Sequence, residues 1–284
     1  MFGGGGSARF DDPFRLLPIG QSVGLSQRES RAVLAQCRPS VAIDLAESRS
    51  DLPHSGSCLG GQPALPDAFP WPQDDEGRPL RFVGQFACAD LALARLSGYP
   101  DEGLISIFLD TFDDEPATAR IFYFSLKRDL MRRRAPAGME EPPCYRLTFH
   151  TIPSLPRPGS QEYQDLRLDD DAEDAYYQLL LEVEEGLHPC QLRCGGHPPF
   201  SEEEGCYPAD GGHAEWEFFL ALRDVDELGI SWPESGAVML WLPREAARFV
   251  DGRAALTWQA VWDDEDDEDS PSDDDDEYED EDDE

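Results

Sequence analysis

The chain has 284 residues and sets 60 Asp+Glu against 23 Lys+Arg, a formal charge of −37. That much negative charge argues against a nucleic-acid binder or an anchor to an anionic membrane, since both need clustered lysine and arginine. A hydrophobic fraction of 40% with 10% aromatics argues against disorder throughout and is enough for one large core or two modest ones.

Residues 1–24 are rich in glycine and proline with little periodicity, and are expected to be flexible. The opening residues lack the apolar core of a signal peptide, and no apolar run reaches the roughly 18 residues of a membrane span, so a cytoplasmic chain is expected. Ser26-x-x-Glu29 has capping-box spacing and starts a helix through Ala32, Val33 and Cys37, with Pro39 as its stop. Val41 to Leu45 is a short apolar run of strand type, and a Pro- and Gly-rich loop follows through Trp71-Pro72. Arg81–Ala87, Leu104–Leu109, Ala119–Leu126 and Cys144–Thr151 read as strands, rich in aromatic and β-branched residues and bounded by Gly, Pro and Asp. Residues 153–165 read as loop. Asp169 to Glu185 is the clearest helix, with acids in its first turn, Ala172, Tyr176, Leu179, Leu180 and Val183 on one face, and Gly186 at its end. Strand signals return at Glu215–Leu222, Ala237–Leu242 and Ala254–Trp262. From Asp263 onward 18 of the last 22 residues are acidic and none is basic, a composition expected to be disordered. The remaining 262 residues still carry 42 acids against 23 bases.

Two passages share an order of features. Gly60-Gly61-Gln62-Pro63 is followed by the strand containing Gln85, then Asp90-Leu91, Gly103 and the strand Leu104–Leu109. Gly195-Gly196-His197-Pro198 is followed by the strand containing Ala221, then Asp224-Val225, Gly236 and Ala237–Leu242, about 135 residues later. The shared order points to an internal duplication. The expected fold is α+β and β-rich, with mainly antiparallel sheets in two related halves and a few flanking helices. The halves span about 40–150 and 187–262, joined by the helix near 169–185 within a single domain at 25–262, with 263–284 as an acidic tail.

These residues resemble the YwqG-like proteins, a domain of unknown function. The resemblance rests on Gly60-Gly61-x-Pro63, Trp71-Pro72 and Pro79-Leu80 leading into Phe82-Val83-Gly84-Gln85-Phe86. It continues with Leu96 to Gly103 ahead of Leu104–Leu109, and with Trp232-Pro233-Glu234-Ser235-Gly236. Ala221 departs from it where the second half usually has a Gln like Gln85, as does the Cys/His-rich stretch after Cys190. The resemblance implies a β-rich α+β fold with two related halves, and it carries no established activity and no catalytic residues.

The chemistry in the sequence is sparse. His188-x-Cys190-x3-Cys194-x2-His197, with Cys206 and His213 beyond, offers the ligand types of a tetrahedral Zn²⁺ site, although the spacing matches no common zinc module. Cys194 precedes its Gly-Gly much as Cys58 precedes Gly60, which favours packing beside a tight turn; zinc through His188, Cys190, Cys194, His197 and Cys206 stands as the alternative. The seven cysteines, an odd number in a long chain, read as reduced thiols. The Gly-Gly pairs lack any phosphate-loop pattern and read as turns ahead of strands. Asp74-Asp75-Glu76 and Asp113-Asp114-Glu115 lack the alternation of a Ca²⁺ loop and read as solvated charge. Lys127 is the only lysine and sits in the one basic island, Lys127 to Arg134, read as a solvated surface or an intramolecular partner for the tail. No motif for nucleophilic catalysis is present. Gly60, Gly61, Pro63, Trp71, Gln85, Gly195, Gly196, Trp232 and Gly236 are read as fold-defining. The expected function is a non-enzymatic binding protein for a basic protein partner, of which an immunity or antidote protein for a basic toxin is one form. The alternative is an enzyme or small-ligand site between the halves, where Trp71, Gln85, Trp216, Trp232 and nearby acids would converge.

Overall fold

A computed structural model of the chain describes residues 14, 16–48, 52–92, 99–110, 119–186, 192–199, 215–230, 237–244, 249–255 and 258–262. Helices α1 (Leu16–Ser22) and α2 (Gln27–Gln36) lead into strand β1 (Arg38–Ser48). Then come β2 (Cys58–Leu59), β3 (Ala64–Pro66), β4 (Arg81–Ala87), the single helical turn α3 (Cys88–Leu91), β5 (Leu104–Leu109), β6 (Ala119–Phe124) and β7 (Leu130–Arg132). The chain continues through β8 (Tyr145–Ser154), α4 (Gln161–Gln164), α5 (Asp170–Gly186), β9 (Leu192–Cys194) and β10 (Trp216–Arg223). After a 3-10 turn at Asp226–Leu228 it ends in β11 (Ala237–Pro243), β12 (Ala254–Ala255) and β13 (Trp258–Trp262).

Eleven strands form one curled antiparallel sheet in the order β12-β6-β5-β4-β2-β8-β1-β9-β10-β11-β13, and β3 pairs with β7 in a small second sheet. The long β1–β8 ladder lies at the middle, with Ile43 opposite Phe149, Asp44 opposite Thr148 and Leu45 opposite Leu147. Short β2 bridges β8 to β4, and short β9 bridges β1 to β10. β4 and β10 each carry an irregularity, between Phe82 and Gly84 in one and between Phe218 and Leu220 in the other.

The strands of the curled sheet alternate between two apolar faces, which is why β5 reads as a continuous apolar run. Val83, Phe86, Ile105, Ile107 and Ile121 from one wing meet Phe219, Leu220, Leu222, Val238 and Leu240 from the other in a single buried cluster. On the opposite face, Phe82, Phe108, Phe122 and Phe124 pack beneath Leu65, Leu80, Phe69 and Trp71. Phe218, Met239 and Trp241 form a separate cluster with Trp216. The helices make a further core in which Val33, Leu16, Ala175, Tyr176 and Leu179 enclose Leu155 just past the end of β8, and the buried Tyr176 hydroxyl donates to the Pro156 carbonyl at 2.6 Å.

The helix signals in the sequence are realised with their chemistry. The Ser26 hydroxyl accepts from Glu29 N–H at 3.3 Å while Glu29 accepts from Ser26 N–H at 2.7 Å, completing the capping box. Asp169 caps α5 by accepting from Ala172 N–H at 3.1 Å. Elsewhere the structure departs from the sequence pattern. Residues 16–22, expected to be flexible, form α1 because Leu16 finds a buried place in the helical core. Its Pro18 sits in the first turn, where a helix tolerates the missing N–H. The helix ends at Gln36, ahead of its expected stop at Pro39, but Pro39 itself lies inside β1, which starts one residue after the Cys37 cap. Residues 153–165 include the last two residues of β8 and the one-turn helix α4, capped by Ser160. The proposed acidic tail at 263–284 lies outside the described residues.

Candidate functional site

The two Gly-Gly pairs sit at equivalent breaks in the sheet. After two residues of β2 the chain turns away through Gly60 (φ +67°) and Gly61 (φ +70°), and after β9 it does so through Gly195 (φ +66°) and Gly196 (φ +79°). A strand irregularity leaves an extra residue without a ladder partner. Here Gly60 N–H donates to the Val83 carbonyl at 2.8 Å, and Gly195 N–H donates to the Phe219 carbonyl at 3.0 Å, so each turn satisfies the extra residue of the neighbouring strand. A side chain at Gly60 would run into the Pro143 carbonyl and Leu228, and one at Gly61 into Cys144. The glycines are therefore required both by backbone sign and by close approach.

Around the first turn the structure gathers groups with chemistry. Cys58 is fully buried, and its partner across the sheet is Arg146 of β8; Cys144, just ahead of β8, lies on the same side and is half-buried. The Cys58 thiol donates to the Gly60 carbonyl at 3.9 Å and interacts with the neighbouring Cys144 thiol, and the Arg132 guanidinium from the end of β7 lies 3.8 Å from the Cys58 sulfur. Arg132 is held by the carbonyls of Gln62, Leu52 and Pro53, the last two at 3.4 and 3.2 Å. The interaction with Cys58, with support from Arg132, outweighs burial and brings the Cys144 thiol down to about 7, while Cys58 is pushed up by that same interaction and by its burial. A shallow depression of about 10 Å³, room for little more than one water molecule, lies beside them and is lined by Gly61, Trp71, Arg81, Met139, Glu141 and Pro142 among others. Gln62 donates to Glu141 at 2.9 Å across its rim.

The second turn carries different groups. His197 is buried; its N–H donates to Ser154 Oγ at 2.7 Å and its Nε2 lies 2.8 Å from the Gln36 carbonyl, so Nε2 carries the proton. Burial lowers its pKa to about 4. Ser40 donates to the Cys194 carbonyl at 3.1 Å and accepts from Arg193 Nε at 3.2 Å. Nearby Arg38 pairs with Glu162 at 2.7 Å. Burial works to raise the Glu162 carboxyl, but its own backbone amide and Arg38 prevail and hold it below the usual range.

Of the residues proposed for zinc, Cys194 and His197 fall here: Cys194 is fully buried in the sheet core, where burial pushes its thiol well up, and His197 spends Nε2 on Gln36. His188, Cys190, Cys206 and His213 lie outside the described residues, and among those described no group of three or more His, Cys, Asp or Glu is placed to hold a metal. The five cysteines described are free thiols. Gln85 is fully committed: it accepts from Ala64 N–H at 2.9 Å and donates to the carbonyls of His54 and Gly56, each at 2.8 Å. Trp71 donates to the Leu80 carbonyl at 2.9 Å and packs edge-on against Phe108, whereas Trp216 packs in the separate Phe218–Trp241 cluster. These three do not meet in one site; Trp232 and Gly236 lie outside the described residues. The basic island is used internally: Arg133 binds the carbonyls of Pro66, Asp67 and Phe69, and Arg128 pairs with Asp251 at 2.8 Å. Asp74 accepts from the N–H groups of Glu76 and Arg78 and from the Arg78 side chain, a turn built by one carboxylate. The thiol pair at Cys58 and Cys144 escapes sequence reasoning because it is created by the pairing of β2 with β8; the only local signal is Cys58 two residues before Gly60.

Residues 57–259, from the entry to β2 into β13, match the family described as domain of unknown function (DUF1963). The chain belongs to this family. No curated protein matches it. The DUF1963 match begins after β1, although β1 is the central strand that both β8 and β9 pair with, so this family domain is completed here by a strand and two helices from outside the matched span. Among the described residues no helix is long and apolar enough to cross a membrane.

Proposed function

We propose that the protein is a soluble, cytoplasmic, non-enzymatic binding protein that engages a basic protein partner through its acidic surface and acidic C-terminal segment. The observation that carries this reading is the outer face of α5. Its inner side fills the helical core, while Asp170, Asp171, Asp174 and Glu182 stand exposed beside Tyr177 and Leu181, which are 47% and 51% exposed. The spacing places these residues along one outward stripe. A large aromatic and a leucine ringed by carboxylates suit a partner segment that joins arginine or lysine with apolar side chains. The body's excess of 42 acids over 23 bases, with 18 further acids in the last 22 residues, would steer such a partner in.

The alternative of an enzyme or ligand site between two halves is disfavoured by the apolar side chains that fill the space between the wings and by the separate engagements of Trp71, Gln85 and Trp216. We infer in addition that the sheet arose by duplication. This is supported by the mirrored strand order about β8–β1 and by the glycine turns that meet an irregularity on each side. An immunity protein for a basic toxin is the specific form that the charge favours.

Affinity capture with the full chain tests the reading. The captured partner should be basic, should dissociate as salt rises, and should be lost when Asp170, Asp171 and Asp174 become Asn and Glu182 becomes Gln. Salt-insensitive capture, or capture unaffected by the α5 variant, overturns it.

A further inference from the structure

The pairing of β2 with β8 brings the thiols of Cys58 and Cys144 together at the first glycine turn although they stand 86 residues apart in sequence, Cys58 reaching the Gly60 carbonyl and Cys144 packing on Gly61. Cys144 is the accessible member, half-buried and seated against Gly61, whose missing side chain makes room for its Cβ and sulfur. Cys58 is sealed in the sheet beneath it. Arg132 is anchored by three backbone carbonyls, and among the described residues no carboxylate pairs with it, so its charge faces the sulfurs without local neutralisation.

We propose that Cys58 and Cys144 form a redox-active dithiol that exchanges with low-molecular-weight disulfides, Cys144 being the attacking sulfur and Cys58 the resolving one. The Cys144 thiolate attacks one sulfur of a small disulfide; that S–S bond breaks, a mixed disulfide forms on Cys144, and the first small thiolate departs and takes a proton from water. Cys58 then gives its proton to solvent, attacks the Cys144 sulfur and expels the second small thiolate. The protein's two thiols lose two electrons and two protons, and the small disulfide gains them. Arg132 serves both steps, first favouring the Cys144 thiolate and then, once Cys144 is capped, favouring that of Cys58. The groups acting on Cys144 are Cys58 from β2 and Arg132 from β7, and both favour its thiolate. The product bond would tie β2 to the segment that enters β8. Gly61 packs against Cys144 and Pro142 lies two residues ahead of it, so oxidation would fix that segment against the first glycine turn.

The experiment uses the reduced full chain, glutathione disulfide as oxidant, and peptide mapping by mass spectrometry. The wild type should lose two hydrogens with a Cys58–Cys144 cross-link. Cys58→Ser should accumulate one glutathionyl group on Cys144, and Cys144→Ser should leave Cys58 unmodified. Alkylation of Cys144 in the wild type should titrate with a midpoint near 7 and run roughly fivefold faster at pH 7 than that of an ordinary thiol. Arg132→Gln should move the midpoint upward. The wild-type map decides even where a variant fails to fold: a Cys58–Cys144 pair left reduced while other cysteines oxidise, or a Cys144 midpoint near the ordinary 9.0, overturns the proposal.

Discussion

At the first Gly-Gly turn Gly61 presses on Cys144, and at the second Gly196 presses on Ser40 and Ser154. Across the sheet Cys58 of β2 faces Gln85 of β4, and Arg193 of β9 faces Ala221 of β10. The backbones are alike down to the glycine amide that serves the irregular neighbouring strand. The side chains are not: one turn brings two thiols together, the other an arginine and a serine. Gln85 ties its turn to the 54–64 segment with three hydrogen bonds, whereas Ala221 packs into the Phe218–Trp241 cluster. Backbone sterics fix the turn, and the polar chemistry beside it is free to differ.

The steric half of that comparison breaks most sharply at Gly60. Gly60→Ala should cost about 4 kcal/mol, because a Cβ meets the Pro143 carbonyl and Leu228 at positive φ; Gly77→Ala, also at positive φ but with open space around it, should cost only about 1–2 kcal/mol. Chemical denaturation of both variants measures the difference, and equal costs would show that conformation alone sets the requirement. The polar half is tested at the paired positions. Gln85→Ala should lose about 3 kcal/mol by stranding Ala64 N–H and two carbonyls, while Ala221→Gln should lose about 2 kcal/mol by burying an amide in an apolar cluster. If Ala221→Gln instead stabilises, the second turn holds an unfilled polar socket.

His197 sharpens the comparison through pH. Its folded pKa near 4 lies below the ordinary 6.5, so between those values the unfolded chain takes up a proton that the folded chain refuses. Stability should be complete above pH 6.5 and fall by roughly 2–3 kcal/mol as pH drops toward 4. His197→Gln should flatten that window, measured by melting temperature against pH; an unchanged slope would assign it elsewhere. The smallest effect belongs to Arg128→Ala. Its pair with Asp251 is exposed on both sides, and less than about 1 kcal/mol should be lost, within the error of many melts.

Long periodic elements were legible from sequence: α2 by its capping box, α5 by its apolar face, and β4, β5 and β11 by their apolar runs between turn residues. β2 and β9 were not, because two or three residues hold no period; their existence is decided by the strands on either side. The full length of β1 was hidden by Pro39, which suggests a stop to a reader of sequence. At the site, the glycine turns could be read, since positive φ and close approach select one residue type. The thiol pair could not, because Cys58, Arg132 and Cys144 come from three separate elements and meet only through sheet registration.

The two margins of the large sheet end differently. Among the described residues, one closes with the two-residue β12, too short to template another strand, and the other closes with β13, which lies outermost beside β11. An outermost strand offers unpaired backbone groups to any passing strand, including one from a second copy. Immediately after β13 the sequence enters its run of 18 acids in 22 residues, so two such margins approaching each other bring together the densest negative charge in the molecule. A chain cut after Trp262 should keep its melting temperature yet scatter light sooner on concentration, and the intact chain should do the same once high salt screens the repulsion.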